Sequence, residues 1–257
     1  MALQTVIFKD LGNMSYKDAW DYQEQLLQQN LRAKAVAADQ RQMQQPVVGG
    51  TDPLVAGFTL GEGPIDTTHY FLMVEHPPVY TLGKSGNEEH VLIDEAERMR
   101  KGIEYFRTNR GGDITFHGPG QIVGYPILDL EKFYTDIGKY LRSLEEVIIL
   151  TLDEYGIKGE RSVGETGVWI EPDVKGRERK ICAMGVRCSR WITMHGFAFN
   201  VNTDLSYFDH IVPCGIRGKQ VTSLQKELEY EVSIEEVKEK VKLNFEKVFG
   251  VKLKYGH

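Results

Sequence analysis

The chain is short of cysteine, with three in 257 residues. That odd number, without a regular framework, excludes a disulfide-built scaffold and suits a reducing compartment. It also has no basic excess: 31 Lys and Arg stand against 37 Asp and Glu, a net charge of −6, so no nucleic-acid partner is expected. No run approaches the roughly 18 uninterrupted apolar residues of a membrane span. The opening MALQTVIFKD carries neither an apolar core nor an Arg-rich amphipathic pattern, so no leader is expected and the location expected is cytoplasmic. Neither the GxGxxG nor the P-loop spacing of nucleotide sites is present.

What remains is enough for a globular protein. At 257 residues and 41% hydrophobic content, the chain is long enough for one large domain or two small ones. Residues 4–8 read as a short strand. From Tyr16, with Ser15 as N-cap, a helix is predicted whose stripe is Tyr16, Ala19, Trp20, Leu26, Leu27 and Leu31. Beyond Gln45 glycine and proline accumulate, and 46–66 reads as a long loop or insertion. HYFLMVEHPPVYTLGK at 69–84 suggests two buried strands joined tightly at Pro77 and Pro78. A short charged helix over 93–101 and a strand at IEYFRTNR follow. QIVGYPILDL is apolar at nearly every position, as for a strand interior to a sheet. Asp136–Tyr155 has helical spacing and ends at Gly156. ERSVGETGVWIE reads as the next strand and VKGRER as a charged turn. A final helix, 233–249, carries Ser233 and Glu236 as a capping box.

Chemistry concentrates in two places. The first is Lys180–Gly215, KICAMGVRCSRWITMHGFAFNVNTDLSYFDHIVPCG, which holds all three cysteines. Cys214 lies between a proline that fixes one backbone angle and a glycine that permits a sharp exit. A thiol becomes a nucleophile as the thiolate, and with a reference pKa of about 8.5 it needs a neighbouring cation or base. Lys180 and His195 are on offer, yet only the fold can bring either to Cys214. The plain alternative is a small buried hydrophobe. Along an extended strand, Lys180, Cys182, Met184, Val186 and Cys188 share a face, which makes Cys182 the runner-up nucleophile, about 7 Å from Lys180. Lys175, Arg177, Arg179, Lys180, Arg187 and Arg190 against Glu178 read as a solvated face or a dock for an acidic partner.

The second place is Arg110–Gln121, RGGDITFHGPGQ. Its glycines would let a ligand approach bare backbone N–H groups. Arg110 could pair with a phosphate or carboxylate, and His117 could donate to a carbonyl or shuttle a proton. The alternative is a tight turn with a surface arginine and a capping histidine.

Taken together, EHPPVYTLGKSGNEEH at 75–90, RGGDITFHGPGQIVGYPI at 110–127, GVWI at 167–170, RKICAMGVR at 179–187, MHGFAFNVN at 194–202 and IVPCG at 211–215 resemble the lipoyl(octanoyl) transferase family. The resemblance spans most of the chain in the correct order. It implies one α/β catalytic domain over 1–257, of the biotin and lipoate ligase-like fold, with a mixed sheet flanked by helices. It implies transfer of an octanoyl group from octanoyl-acyl carrier protein to a lysine of lipoyl domains, including those of 2-oxoacid dehydrogenases and the glycine cleavage H protein. No cofactor, metal or membrane is involved in that chemistry. Carried over position by position, Cys214 is the acyl-thioester nucleophile and Lys180 the group that lowers its pKa. Arg110, Gly111, Gly112, Asp113, Ile114, Thr115, Phe116, His117, Ala183, Met184, Gly185, Gly196, Phe197 and Ala198 line the acyl pocket, with His195 and Tyr125 in support. The segment around 46–66 is longer than the family's usual form.

Thioester exchange is close to balanced, so such an acyl-enzyme forms without ATP, and attack by an amine then gives the more stable amide. Three alternatives compete with this reading. An ATP-dependent lipoate or biotin ligase activates a free acid and needs no cysteine. A catalytically dead scaffold would only bind lipoyl domains, and a Cys-His thiol protease would need an imidazole where this chain offers a lysine.

Overall fold

A computed structural model describes residues 3–43, 66–212 and 220–256, leaving most of the expected insertion, 46–65, outside the described residues. The main sheet contains β1 (Gln4–Asn13), β2 (His69–Glu75), β6 (Gln121–Ile127), β7 (Val168–Ile170), β8 (Arg179–Ser189), β9 (Ile192–Asn200), β10 (Gln220–Val221) and β11 (Val251–Tyr255). Its order is β10-β8-β9-β6-β2-β1-β11, with β7 also paired to β8. The sheet is mixed: β1 runs parallel to β2 and β11, whereas β2–β6, β6–β9 and β8–β9 are antiparallel.

Helices cover both faces, which explains why β2 is apolar at consecutive positions. Phe71 and Met73 face a core shared with α3 (Ile137–Asp153) and α5 (Ile234–Phe249). Leu72 and Val74 face the opposite core, with Ala19, Leu26 and Leu27 of α1 (Tyr16–Met43). Packing on the first face is close: Phe71 stacks on Phe245 with ring centroids 4.2 Å apart. The helix starts follow the sequence. Ser15 Oγ accepts the Asp18 N–H, Asp136 that of Lys139 and Ser233 that of Glu236, each satisfying an amide the first turn leaves without a partner.

Pro77 and Pro78 carry the chain out of the main sheet rather than back along it. The next strand, β3 (Val79–Leu82), sits in a separate three-stranded sheet between β4 (Glu104–Arg107) and β5 (Ile114–His117). The short helix α2 (Glu95–Arg100) leads into β4.

Three expectations are corrected here. The stretch Arg110–Gln121 is not all loop, because Ile114–His117 pairs residue for residue with β3 and is buried at every position. ERSVGETGVWIE is not one strand: Gly164 and Gly167 have φ of +78° and +119°, which break the extension and leave only Val168–Ile170 as β7. Half of the basic run at 175–190 is paired with acids. Arg177 and Arg179 meet Glu171, Arg179 also meets Glu227, and Arg187 meets Glu24.

Candidate active site

Lys180 enters the site because β8 begins one residue before it and is held on both flanks. Trp169 of β7 lies opposite Lys180 in the antiparallel ladder, and Val221 of β10 lies beside it in a parallel one. The carbonyl of Lys180 accepts the Thr222 N–H at 3.0 Å. Its side chain crosses the indole of Trp169, with Nζ 4.6 Å from the ring centroid, and only 9% of the residue is exposed. Lys180 lines a groove together with Gly112, Thr166, Met184 and Val186.

The glycine-rich loop docks on β8 by bare backbone. Gly111 N–H donates to the Val186 carbonyl at 2.9 Å. A Cβ on Gly185 would stand 2.6 Å from the Gly111 carbonyl oxygen, closer than real Cβ contacts allow, so only glycine permits this approach. Arg110 holds the loop shut from inside. Its guanidinium donates to the carbonyls of Thr81 (2.6 Å), Asp113 (2.9 Å) and Gly111 (3.0 Å). It is therefore a buried brace rather than a surface arginine. Asp113 turns its carboxylate to His90 Nδ1 at 2.5 Å and accepts the Ile114 N–H at 2.7 Å.

Behind the loop lies an inner cavity that meets the Lys180 groove at Gly112, Asp113, Met184 and Gly185. Arg110, Ile114, Thr115, His117, Tyr125, Ala183, His195, Gly196, Phe197 and Ala198 complete most of the wall. Two residues expected there lie elsewhere. Gly111 faces the outer groove. Phe116 points into the core of the small sheet, stacked on Tyr207 at 4.5 Å, because strand alternation sends Thr115 and His117 the other way. Tyr16 and Val123 were not expected in the wall but are part of it. Tyr16 comes from the first turn of α1, and its place in that helix's apolar stripe was its only signal.

The cavity's histidines are neutral, and burial is the first cause for each. His76, beneath the wall, falls to about 4. His117 lies well below the usual imidazole range, pushed further by His76 and Arg110, and His195 falls to about 3, with Arg110 and Arg187 adding to the effect. Their protons are fixed by partners. The Thr81 hydroxyl receives the Arg110 N–H, so it donates to His117 Nε2 at 3.3 Å, and His117 Nδ1–H donates to Gln121 Oε1 at 2.9 Å. His76 Nδ1–H donates to the Met14 carbonyl and its Nε2 accepts the Tyr125 hydroxyl, each at 2.8 Å. His195 Nε2–H donates to Asn109 at 2.9 Å. These rings serve as neutral walls and hydrogen-bond struts, so the shuttle role open to His117 and the cationic role open to His195 find no support. Burial also raises Tyr125 well above its usual range and Tyr16 to about 12, so both hydroxyls stay protonated.

Cys182 is fully buried, and burial raises its thiol well above the ordinary range despite the nearby Lys180 charge. A thiol in that state is a poor nucleophile, so its place as runner-up is withdrawn. Cys214 lies outside the described residues. The chain before it reaches Val212, whose N–H donates to His90 at 2.8 Å, and resumes at Gln220 in register with Arg179, so that Val221 flanks Lys180.

Residues 59–246 match the model of the lipoyl protein ligase A/B catalytic domain family. The octanoyltransferase of Christiangramia forsetii is 54% identical over 248 residues, covering 96% of this chain and 97% of that protein. That of Flavobacterium psychrophilum is 55% identical over 248 residues, with the same coverage of each. Among solved structures, the bipartite lipoate protein ligase of Thermoplasma acidophilum superposes with a TM-score of 0.65 at 16% identity, covering 99% of this chain and 87% of that one. A lipoate-protein ligase A bound with ATP gives 0.63 at 15%, covering 100% and 89%. At that identity the structural likeness concerns the fold.

Proposed function

Because the chain belongs to the lipoyl protein ligase A/B catalytic domain family, we propose that it is an octanoyltransferase of lipoate biosynthesis, acting as a single catalytic domain. It takes its acyl group from a carrier-protein thioester and gives it to a lysine of a lipoyl domain. The observation that carries this reading is a largely apolar inner cavity that shares Gly112, Asp113, Met184 and Gly185 with the groove that Lys180 lines. In this reading the fatty chain enters the first, which at about 50 Å³ must widen to take it, and its reacting carbonyl lies in the second. Each methylene buried from water contributes about 0.8 kcal/mol.

In this proposal Cys214 is the nucleophile and Lys180 its cation. The thiolate attacks the carbonyl carbon of the donor thioester; the carrier's C–S bond breaks and its sulfur leaves as a thiol after taking up a proton. The acylated sulfur no longer carries charge, so Lys180, having given its proton to the departing carrier sulfur, stands as a neutral amine and can accept the proton of the incoming amine. The amine's nitrogen displaces the sulfur, the amide forms and Cys214 is released. The neutral His117 and His195 bring no competing positive charge to the cavity.

An ATP-dependent ligase shares the fold but not this chemistry, since it must first make an acyl adenylate. The test is transfer from octanoyl-carrier protein to an isolated lipoyl domain with ATP withheld and residual nucleotide destroyed by apyrase. Full transfer is expected. Transfer that appears only when ATP and free octanoate are supplied would replace this reading with the ligase.

A further inference from the structure

Lys180 does not hold its position alone. Its ammonium lies 4.6 Å above the Trp169 ring centroid, and the two residues are register partners across β7 and β8. Gly167, two residues before Trp169, completes the seat. A Cβ added there would stand 2.5 Å from the Cys182 carbonyl oxygen and 3.4 Å from Lys180 Cε, and the glycine's φ is +119°, so the backbone approaches β8 beside the lysine stem as only glycine can. Gly167 is itself pinned, its N–H donating at 3.0 Å to Glu145 of α3. Glu145 is fully buried and held by Arg142 and Arg161.

We infer that Trp169 is a positioning residue for the transfer reaction, its indole face orienting the Lys180 ammonium in the groove. The inference rests on the proposed role of Lys180. An indole is the strongest aromatic partner for a cation and more so when both are desolvated, and here both residues are almost wholly buried. The rigid β7–Glu145 mounting fixes the angle of the ring, so the ammonium, at the end of a flexible stem, has a defined height and direction. Asp113 and Glu165 also line the groove.

The test measures kcat and KM for octanoyl transfer in Trp169→Phe, Trp169→Leu and Lys180→Ala. It is joined by a series in which Trp169 alone is replaced by mono-, di- and trifluorotryptophan, which keep the shape and drain the ring's electron density. Trp169→Phe, which retains a ring face, is expected to keep at least about a third of kcat. Trp169→Leu is expected to lose at least about tenfold, with KM for the donor within about threefold of the parent. In the fluorinated series kcat should fall step by step at constant KM, an effect that packing alone does not produce and that survives if the leucine variant fails to fold. An unchanged kcat across the fluorinated proteins, beside an inactive Lys180→Ala, would overturn the inference and leave the proposed reaction standing. Normal rates in Lys180→Ala would overturn both.

Discussion

At the scale of single residues, the site separates groups that look alike in the sequence. Cys182 and Cys214 were both candidates, and burial removes the first: its sulfur sits in the core beside Ile181 and Phe199. Cys182→Ala should therefore leave enzyme acylation intact while lowering stability by roughly 1–2 kcal/mol, read by intact mass and urea unfolding respectively. The histidines give a signed pH effect. His195 has a folded pKa of about 3, below an unfolded value near 6.5. The unfolded chain therefore binds a proton that the native state refuses, and stability is lost as pH falls below about 6.5. Above that pH both states are neutral and the contribution is flat. At pH 5 the loss from one such group is about 2 kcal/mol. His195→Asn, whose side chain tolerates the positive φ of 59°, should shrink the difference in unfolding free energy between pH 7 and pH 5 by about that amount. An undiminished difference would mean that His195 already titrates in the native protein. What sequence alone could not assign at this scale was direction. Arg110 was singled out as a partner for an anion, whereas its use as a brace for three carbonyls depends on β3 passing beneath it.

At the scale of elements, patterns confined to one strand or helix were legible and patterns spanning two were not. The helical periodicity of 136–155, the cap at Ser233 and the strand at QIVGYPILDL all translate into the observed α3, α5 and β6. The short periodicity of ITFH, enclosed by glycines, hid β5, which exists because β3 supplies its ladder. The basic run at 175–190 gave no hint of Glu24, Glu171 and Glu227, since its partners come from α1, the β7 turn and α4 (Leu224–Leu228). The contact that joins the glycine-rich loop to β8 has a direct test. Gly185→Ala puts a carbon 2.6 Å from the Gly111 oxygen, which must push the loop off the strand where the cavity meets the groove. A loss of about 1–3 kcal/mol in stability and at least tenfold in kcat/KM, an order of magnitude per 1.4 kcal/mol, is expected. A variant with parental kinetics would show that the loop's seat on β8 is dispensable.

At the scale of the whole molecule, the described architecture brings together residues far apart in sequence. Tyr16 on α1, His117 on β5, Tyr125 on β6 and His195 on β9 share one cavity, and Lys180 stands in the groove that opens from it. No helix among the described residues is long and apolar enough to cross a membrane. The resemblance of several ordered motifs to a known family pointed to His117 and His195 but not to Tyr16, because no local pattern connects residues 16, 117 and 195. Cys214 needs an experiment, and the most direct one is intact mass spectrometry after incubation with octanoyl-carrier protein. The expected result is a single octanoyl adduct that is released by hydroxylamine and absent from Cys214→Ser. An adduct of the same mass persisting in Cys214→Ser, or complete transfer to a lipoyl domain by that variant, would contradict the covalent route through this sulfur.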